Sequence, residues 1–412
     1  MNNQMGYDME ISETGGVASV PGFTAAGVHC GIRKNKTKRD LALIMADKLC
    51  NAAAVCTTNK VKAAPILLTM ENLKNGKAQA ILCNSGNANA CAPGGMEAAK
   101  AMINATAKEL GIEASNIIVN STGVIGVPLP VEAITAAVPK LVKSLSPDNE
   151  PAAEAIMTTD TFAKSCTVKF PLGGKIITIG GIAKGSGMIH PNMATMLAFL
   201  TTDCAISSEM LQKAMQISAT YTYNQISVDG DTSTNDMSAI LASGAAENDT
   251  IEQEGEEFNL FLAALNAVNL KLAKDIARDG EGATKLLVCK ISGAGTENDA
   301  LMLAKSVISS SLVKAAMFGA DANWGRVLCA MGYSGANFGH TQVDVCFSSA
   351  AGNLPVCKQS TGLDFNEDSA KAVLSEKEVV ISIKLTDGKY TAEAYGCDLT
   401  YDYVKINGDY RT

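Results

Sequence analysis

The sequence predicts an α/β (α+β) protein, a layered sandwich of β-sheets covered by helices. Segments with apolar residues at helical spacing and segments rich in aliphatic strand-forming residues both occur along the whole chain. They are mixed without a strict strand, helix, strand alternation, which favours sheets with helices on their outer faces. The chain has 412 residues, of which 47% are hydrophobic, so it can bury two cores or one large one.

Three helices are predicted, each amphipathic with one buried face. They cover residues 94–111, 207–223 and 256–280. The predicted strands are short aliphatic runs between turn residues, namely AQAILCNSG, NIIVNSTG, CTVKFPLGGKIITIGGIAKG, TMLAFLTTD, KLLVCKISG, TQVDVCFSS and EVVISIKLTDGKYTAEAYG. The Gly-Gly and Asp-Gly pairs inside two of these runs predict hairpin turns.

The overall charge argues against a polyanionic partner. The formal net charge is −8, so the field of the protein repels nucleic acid and anionic lipid. The one basic cluster, RKNKTKRD at Arg33 to Asp40, is interpreted as a solvated loop. No stretch approaches the roughly 18 apolar residues of a membrane span, and the first thirty residues lack the pattern of a signal peptide. We therefore expect a cytoplasmic protein.

The cysteines and histidines do not predict a metal site. Twelve Cys occur without a C-x-x-C pair, and three His are present. Such a scatter indicates neither zinc ligands nor a disulfide framework, and most of the thiols are expected to be buried as small hydrophobic groups. Two ligand motifs also fail: GAGTEN, from Gly293, lacks the third glycine of a dinucleotide loop, and DGDTSTND, from Asp229, lacks the glycine of a calcium loop.

A threonine behind a glycine-rich loop offers a distinct chemistry. In KGSGMIHPNMATMLAFLTTDC the loop precedes Ala194, Thr195 and an apolar run. A cut before Thr195 would free an α-amine, with an ordinary pKa of about 7.7 to 8.0, on the same residue as the hydroxyl. That amine can then take the hydroxyl proton and make Thr195 a nucleophile. The alternative from the residues alone is a β-branched residue that simply suits the start of a strand.

The segment around Thr195 resembles the self-processing segment of the glutamate N-acetyltransferase family of arginine biosynthesis, also called ornithine acetyltransferase. Further motifs of the family occur in the family's order, so the resemblance covers essentially the whole chain. These are PGFTAAGVHCGIR, CTTNKVKAAPI, CNSGNANAC, NSTGVIGVPLP, TTDTF, ISVDGDTSTND, RDGEGATK, GADANWGRVLCAMGYSG and YVKINGDYRT.

The resemblance implies roles for particular residues. Thr195 would be the nucleophile, and cleavage of the Ala194–Thr195 bond would give an alpha chain, residues 1–194, and a beta chain, residues 195–412, intertwined in one catalytic unit. Thr122 and Gly123 would form the oxyanion hole through a hydroxyl and a backbone N–H. The residues implied to contact the amino-acid substrates are Thr158, Lys184, Thr195, Glu281, Asn407 and Thr412.

The implied reaction moves the acetyl group of N2-acetyl-L-ornithine to L-glutamate through an acetyl ester on Thr195. It implies no cofactor and no metal, small-molecule substrates as partners, and assembly of alpha and beta chains into a heterotetramer or larger oligomer. Whether acetyl-CoA is a second acetyl donor stays open. Two alternatives also stay open, namely a related amino-terminal-nucleophile aminopeptidase or amidase, and a catalytically silent homologue that binds an amino acid.

Overall fold

The structure is a computed structural model that describes residues 8–190 and 196–409. The described residues form two compact units. The first contains residues 8–185, 196–224 and 232–272, and the second contains residues 186–190, 225–231 and 273–409.

A mainly antiparallel sheet organises the first unit. Among the described residues it has nine strands in the order β1-β6-β7-β8-β10-β3-β4-β5, with β2 also paired to β3. The strands are β1 (Glu10–Ser12), β2 (Phe23–Val28), β3 (Leu41–Cys56), β4 (Lys77–Asn87), β5 (Ile117–Val124), β6 (Lys164–Leu172), β7 (Lys175–Lys184), β8 (Leu197–Thr202) and β10 (Met237–Ala242). The pairs β8–β10 and β4–β5 are parallel.

Helices cover both faces of this sheet. They are α1 (Ala64–Asn72), α2 (Gly95–Leu110), α3 (Val131–Lys143), α4 (Glu150–Ile156), α5 (Ser208–Tyr221) and α6 (Glu256–Arg278), the last of which continues into the second unit. On β3, Leu41 and Leu43 belong to the core under α2 and α3, whereas Ala42 and Ile44 belong to the core under α4. Because alternate residues face opposite sides and both sides are buried here, residues 41–46 of this strand are a continuous apolar run.

The three predicted helices are confirmed as α2, α5 and α6. The Ser207 hydroxyl caps α5 by accepting a hydrogen bond of 3.3 Å from the Met210 N–H. Gly111 ends α2 in the left-handed conformation, as helix C-terminal glycines commonly do. The Gly-Gly hairpin is also confirmed: Gly173 and Gly174 join β6 to β7 with φ of +58° and +76°, as a two-residue turn of the I′ type requires.

The second unit has its own sheet and core. Seven of its described strands pair in the order β14-β13-β12-β15-β11-β16-β9. The strands are β9 (Ile226–Ser227), β11 (Leu286–Ala294), β12 (Asp344–Ser349), β13 (Gly352–Lys358), β14 (Thr361–Gly362), β15 (Glu378–Lys384) and β16 (Tyr390–Cys397). The helices are α7 (Glu297–Ser309), α8 (Ser311–Phe318), α9 (Trp324–Gly332), α10 (Glu367–Leu374) and α11 (Tyr401–Asp409).

The Asp-Gly hairpin prediction is wrong. Asp387 and Gly388 connect β15 to β16, but these strands do not pair with each other, because β11 lies between them. β11 runs parallel to β15 and antiparallel to β16. The wider prediction, a mixed α/β architecture of sheets covered by helices, is confirmed in both units.

No single helix in the described part of the chain is long and apolar enough to span a membrane. Helices α7 and α8 meet that requirement only together, as a pair bent by 56°, and only by length and composition.

Candidate active site

The predicted oxyanion residues lie at the end of β5, where it runs beside β4. Gly123 has a φ of +133°, and a Cβ there would lie 2.4 Å from the Gly86 carbonyl carbon and 2.5 Å from the Asn87 nitrogen. No side chain fits at this close approach, so glycine is required at position 123. The preceding residue, Thr122, is buried, with 9% of its surface exposed.

Lys184, the last residue of β7, lies beside Thr122. Its side chain is buried, and its ammonium donates a hydrogen bond of 3.5 Å to the Thr122 hydroxyl oxygen. In the described part of the chain this is the one hydrogen bond of the Lys184 ammonium, which leaves two further donors for a ligand. Since Thr122 accepts from Lys184, its own hydroxyl proton is available to a second acceptor.

The buried carboxylate of Asp160 connects Gly185, the residue after Lys184, to the segment that carries Thr158. One carboxylate oxygen of Asp160 accepts hydrogen bonds from the Lys164 ammonium, at 2.8 Å, and from the Gly185 N–H, at 2.7 Å. The other oxygen accepts from the Thr158 N–H at 2.8 Å. The Asp160 and Lys164 side chains are both fully buried.

The surroundings of Asp160 favour the ionised form of its carboxyl group. Burial by itself would raise the pKa of this carboxyl, but Lys164, Lys184 and the hydrogen bonds hold the pKa well below its usual value. The Asp160 carboxylate therefore stays ionised. Sequence reasoning missed Asp160, although its motif, TTDTF, was the signal that located Thr158.

A second buried carboxyl, Asp236, lies directly before β10. Met237 donates from its N–H to the Met196 carbonyl at 2.9 Å, so Asp236 is at the end of the sheet where β8 begins. Burial raises the pKa of Asp236 well above its usual value, although Lys184 opposes this. Its Oδ2 atom has no hydrogen-bond partner among the described residues. This oxygen can therefore accept a hydrogen bond from a ligand.

In the second unit, Glu281 and Asn407 are brought together. The Asn407 side-chain amide, on α11, donates a hydrogen bond of 2.7 Å to a carboxylate oxygen of Glu281. Glu281 follows α6 in a turn whose next residue, Gly282, has a φ of +68°, and a Cβ on Gly282 would lie 2.7 Å from the Tyr403 nitrogen. Glycine at position 282 therefore lets α11 approach the turn closely enough for this contact.

The carboxylate of Glu281 also lies against the backbone of Gly187. A Cβ on Gly187 would be 2.4 Å from the Glu281 carboxylate carbon. The Glu281 N–H donates to the Ser186 carbonyl at 3.0 Å, which fixes the backbone of the turn. The carboxylate is thus positioned by one amide and by the absence of a side chain opposite it.

The remaining predicted site residues, Ala194, Thr195 and Thr412, lie outside the described residues. The described ones fall into two groups. Thr122, Gly123, Thr158 and Lys184 belong to the first unit, and Glu281 and Asn407 belong to the second.

Seven of the twelve cysteines are buried, as predicted, and burial raises the pKa of the partly buried Cys56 to about 12. Within residues 8–190 and 196–409, no three His, Cys, Asp or Glu side chains are grouped so that they could hold a metal ion.

Comparison with known proteins places the chain in a family. The ArgJ family pattern matches residues 24–412. The arginine biosynthesis bifunctional protein ArgJ of Caldanaerobacter subterraneus is 53% identical over 406 residues, which are 98% of this chain and 100% of that protein. Its counterpart in Thermotoga neapolitana is 51% identical over 394 residues, which are 95% of this chain and 99% of that protein.

Among solved structures, the ornithine acetyltransferase of Mycobacterium tuberculosis in complex with ornithine is 37% identical. The match covers 45% of this chain and 100% of that chain, with a TM-score of 0.42. The family pattern and the two full-length relatives confirm the resemblance predicted from the sequence motifs, and the chain belongs to the ArgJ family.

Proposed function

We propose that the chain transfers the acetyl group of N2-acetyl-L-ornithine to L-glutamate through an acetyl ester on Thr195. The observation that carries this proposal is the position of the Lys184 ammonium, 3.5 Å from the Thr122 hydroxyl. In an Nα-acetyl amino acid, only the nitrogen and the α-carbon separate the acetyl carbonyl from the α-carboxylate. An enzyme for such a substrate needs an oxyanion donor and a carboxylate-binding cation side by side, which Thr122 and Lys184 can supply.

The acylation step uses Thr195 as both nucleophile and base. Its hydroxyl oxygen attacks the acetyl carbonyl carbon, and its α-amine accepts the hydroxyl proton. The Thr122 hydroxyl and the Gly123 N–H donate to the carbonyl oxygen as negative charge develops there. When the carbon–nitrogen bond breaks, the α-amine returns the proton to the leaving amine of ornithine.

The second step reverses the first with a different amine. L-Glutamate enters, and its amine attacks the carbonyl carbon of the acetyl-Thr195 ester. The proton passes back through the α-amine to the Thr195 oxygen, which restores the free nucleophile. Ornithine and N-acetylglutamate are the products, and the chemistry uses the chain's own groups alone.

Substrate binding follows the charges of the two amino acids. Lys184, with the hydroxyl of Thr158, binds the α-carboxylate that both substrates share. Glu281 binds the side-chain ammonium of ornithine, and Asn407 and Thr412 complete this end. The hydrogen bond between Asn407 and Glu281 supports this assignment, because it holds the carboxylate in one orientation.

Cleavage between Ala194 and Thr195 is required to free the α-amine. It separates the alpha chain, residues 1–194, from the beta chain, residues 195–412. Strand β8, which begins at Leu197, pairs with β7 of the alpha chain and β10 of the beta chain, which supports an intertwined product. We further propose that these chains assemble into a heterotetramer or larger oligomer in the cytoplasm.

Three assays of the purified protein test the function. Incubation with acetylornithine and glutamate should give N-acetylglutamate, and incubation with acetylornithine alone should leave an acetyl group on the beta chain. A Thr195→Ala protein should remain a single chain and show neither reaction. An uncut wild-type chain that is fully active would overturn the mechanism.

The same assays separate the alternatives. An aminopeptidase or amidase would release acetate and free amine over many turnovers without glutamate, and a silent binding protein would bind ornithine without any turnover. The relatives are named bifunctional, and replacing acetylornithine by acetyl-CoA tests whether this chain uses a second donor.

A further inference from the structure

A basic loop lies between β2 and β3. Residues 33–39, here called the basic loop, carry five cations in a chain whose net charge is −8. These are Arg33, Lys34, Lys36, Lys38 and Arg39. A concentration of positive charge this strong in an acidic protein attracts an anionic ligand.

The basic loop is held in shape by its own hydrogen bonds. At its base, the buried Asp40 carboxylate accepts from the Cys30 N–H at 2.6 Å and from the Arg33 N–H at 3.0 Å. At its tip, the Asn35 side-chain oxygen accepts from the Thr37 N–H at 3.0 Å and the Thr37 hydroxyl at 2.7 Å. None of these bonds uses a lysine side chain.

Arg33 connects the basic loop to the candidate active site. Its guanidinium donates to the Ser85 hydroxyl at 3.0 Å and to the carbonyl of Met157, the residue before Thr158. A Cβ on Gly86 would lie 3.1 Å from the Arg33 side chain. Gly86 is paired with Gly123 across β4 and β5. The basic loop therefore begins one strand away from the oxyanion hole.

The lysines of the basic loop leave their charge uncompensated. Arg39 forms an ion pair with Glu154. Lys34, Lys36 and Lys38 are exposed, and in the described part of the chain none of them forms an ion pair or a hydrogen bond through its side chain. Three free ammonium groups on alternate residues of an ordered loop fit a ligand with several phosphates.

We propose that the basic loop binds the phosphate groups of acetyl-CoA when this thioester is the acetyl donor. The inference rests on the proposed function, which supplies Thr195 as the acetyl acceptor. Acetyl-CoA carries its acetyl group at one end of a long flexible arm and its phosphates at the other. The arm would bring the thioester to the oxyanion hole while the phosphates contact the lysines.

The transfer step balances in the same way as with acetylornithine. A bond forms between the Thr195 oxygen and the acetyl carbon, and the carbon–sulfur bond breaks. The hydroxyl proton passes through the α-amine to the leaving thiolate, so free CoA is released as the thiol.

A triple substitution tests the proposal, because acetylornithine has no phosphate. In Lys34→Ala/Lys36→Ala/Lys38→Ala, the KM for acetyl-CoA should rise about tenfold or more, since three exposed charge contacts are lost. The KM for acetylornithine should be unchanged, and the rise of the acetyl-CoA KM with added salt should become shallower. A matched control removes the exposed lysines of α2 and α3, Lys108, Lys140 and Lys143, and should change neither KM.

Several outcomes would overturn the proposal. Equal changes in both KM values would assign the basic loop a structural role, and no change in either would show that it does not bind the donor. A wild-type protein that uses acetylornithine but not acetyl-CoA would refute the inference while leaving the proposed function intact. A wild-type protein that cannot use acetylornithine would instead refute the proposed function.

Discussion

At the scale of single residues, Thr122 allows the most direct test of the chemistry. Its hydroxyl accepts from Lys184 and keeps a proton that it would donate to the proposed oxyanion. Thr122→Val keeps the shape of the side chain and removes the hydroxyl, so kcat should fall by about 10² to 10³, the usual effect of losing one oxyanion donor. Thr122→Ser keeps the hydroxyl and should retain most of the activity. Both are measured on fully cleaved protein, and equal activities of the two variants would contradict the role.

The buried pair of Asp160 and Lys164 predicts a large effect on stability. Asp160→Asn removes the carboxylate that pairs with the fully buried Lys164 ammonium at 2.8 Å, which should lower the free energy of unfolding by about 3 to 5 kcal/mol. Urea unfolding at neutral pH measures the loss. Asp160→Asn/Lys164→Met removes both charges and should recover part of it. If the single variant is as stable as the wild type, the Asp160–Lys164 ion pair does not stabilise the fold.

The same pair predicts a pH dependence with a definite sign. The pKa of Asp160 is lowered on folding, so its contribution to stability is fully present above the ordinary Asp pKa of about 3.9. It is lost as the pH falls below that value towards the folded-state pKa. Asp160→Asn should therefore flatten the acid side of the stability profile relative to the wild type.

The sequence located the groups proposed to contact substrate better than the groups that position them. The family motifs lead to Thr122, Lys184 and Glu281, and the structure brings Thr122 and Lys184 together. Asp160 was missed because its importance depends on Gly185, which is 25 residues away in the sequence. A lone aspartate in a motif does not show which backbone groups will surround it after folding.

At the scale of elements, local patterns predicted strands and helices but not all of their partners. Periodicity was sufficient for α2, α5 and α6, and the Gly-Gly pair was sufficient for the β6–β7 turn. The hairpin prediction from the Asp-Gly pair was wrong because a tight turn needs only polar, flexible residues. A hairpin also needs the two strands to be adjacent in the sheet. The insertion of β11 between β15 and β16 is decided by long-range packing, which local sequence does not encode.

The turn after α6 gives a prediction about Glu281. A Cβ on Gly187 would fall 2.4 Å from the Glu281 carboxylate carbon, so Gly187→Ala should push this carboxylate aside. The KM for acetylornithine should rise as it does in Glu281→Gln, while capture of the acetyl group by glutamate should weaken less, because glutamate has no side-chain ammonium. Gly255→Ala, whose Cβ would meet no atom within 4 Å, is the matched control. Half-reaction assays measure each step, and equal losses in both would show that Glu281 is not the ammonium partner.

At the scale of the whole molecule, the boundaries of the two compact units do not coincide with those of the predicted alpha and beta chains. The sheet of the first unit contains β1 to β7, which precede the proposed cut, together with β8 and β10, which follow it. One hydrophobic core of this unit likewise combines Ile182 and Ile118 with Phe199 and Leu241. Both sides of the cut therefore contribute to one folded unit, a feature that the linear order of motifs does not reveal.

This arrangement predicts how the cleaved protein behaves. Every residue of β8 is buried, with β7 on one side and β10 on the other, so pulling the chains apart would expose a central strand and its core contacts. Because exposing this apolar surface to water is strongly unfavourable, the two chains should stay together under native conditions after the peptide bond is cut. Gel filtration should give a single peak that contains both chains, and denaturing electrophoresis of that peak should resolve two bands. Thr195→Ala should elute as one peak and run as one band. Separate native peaks for the two chains would show that the sheet does not hold them together.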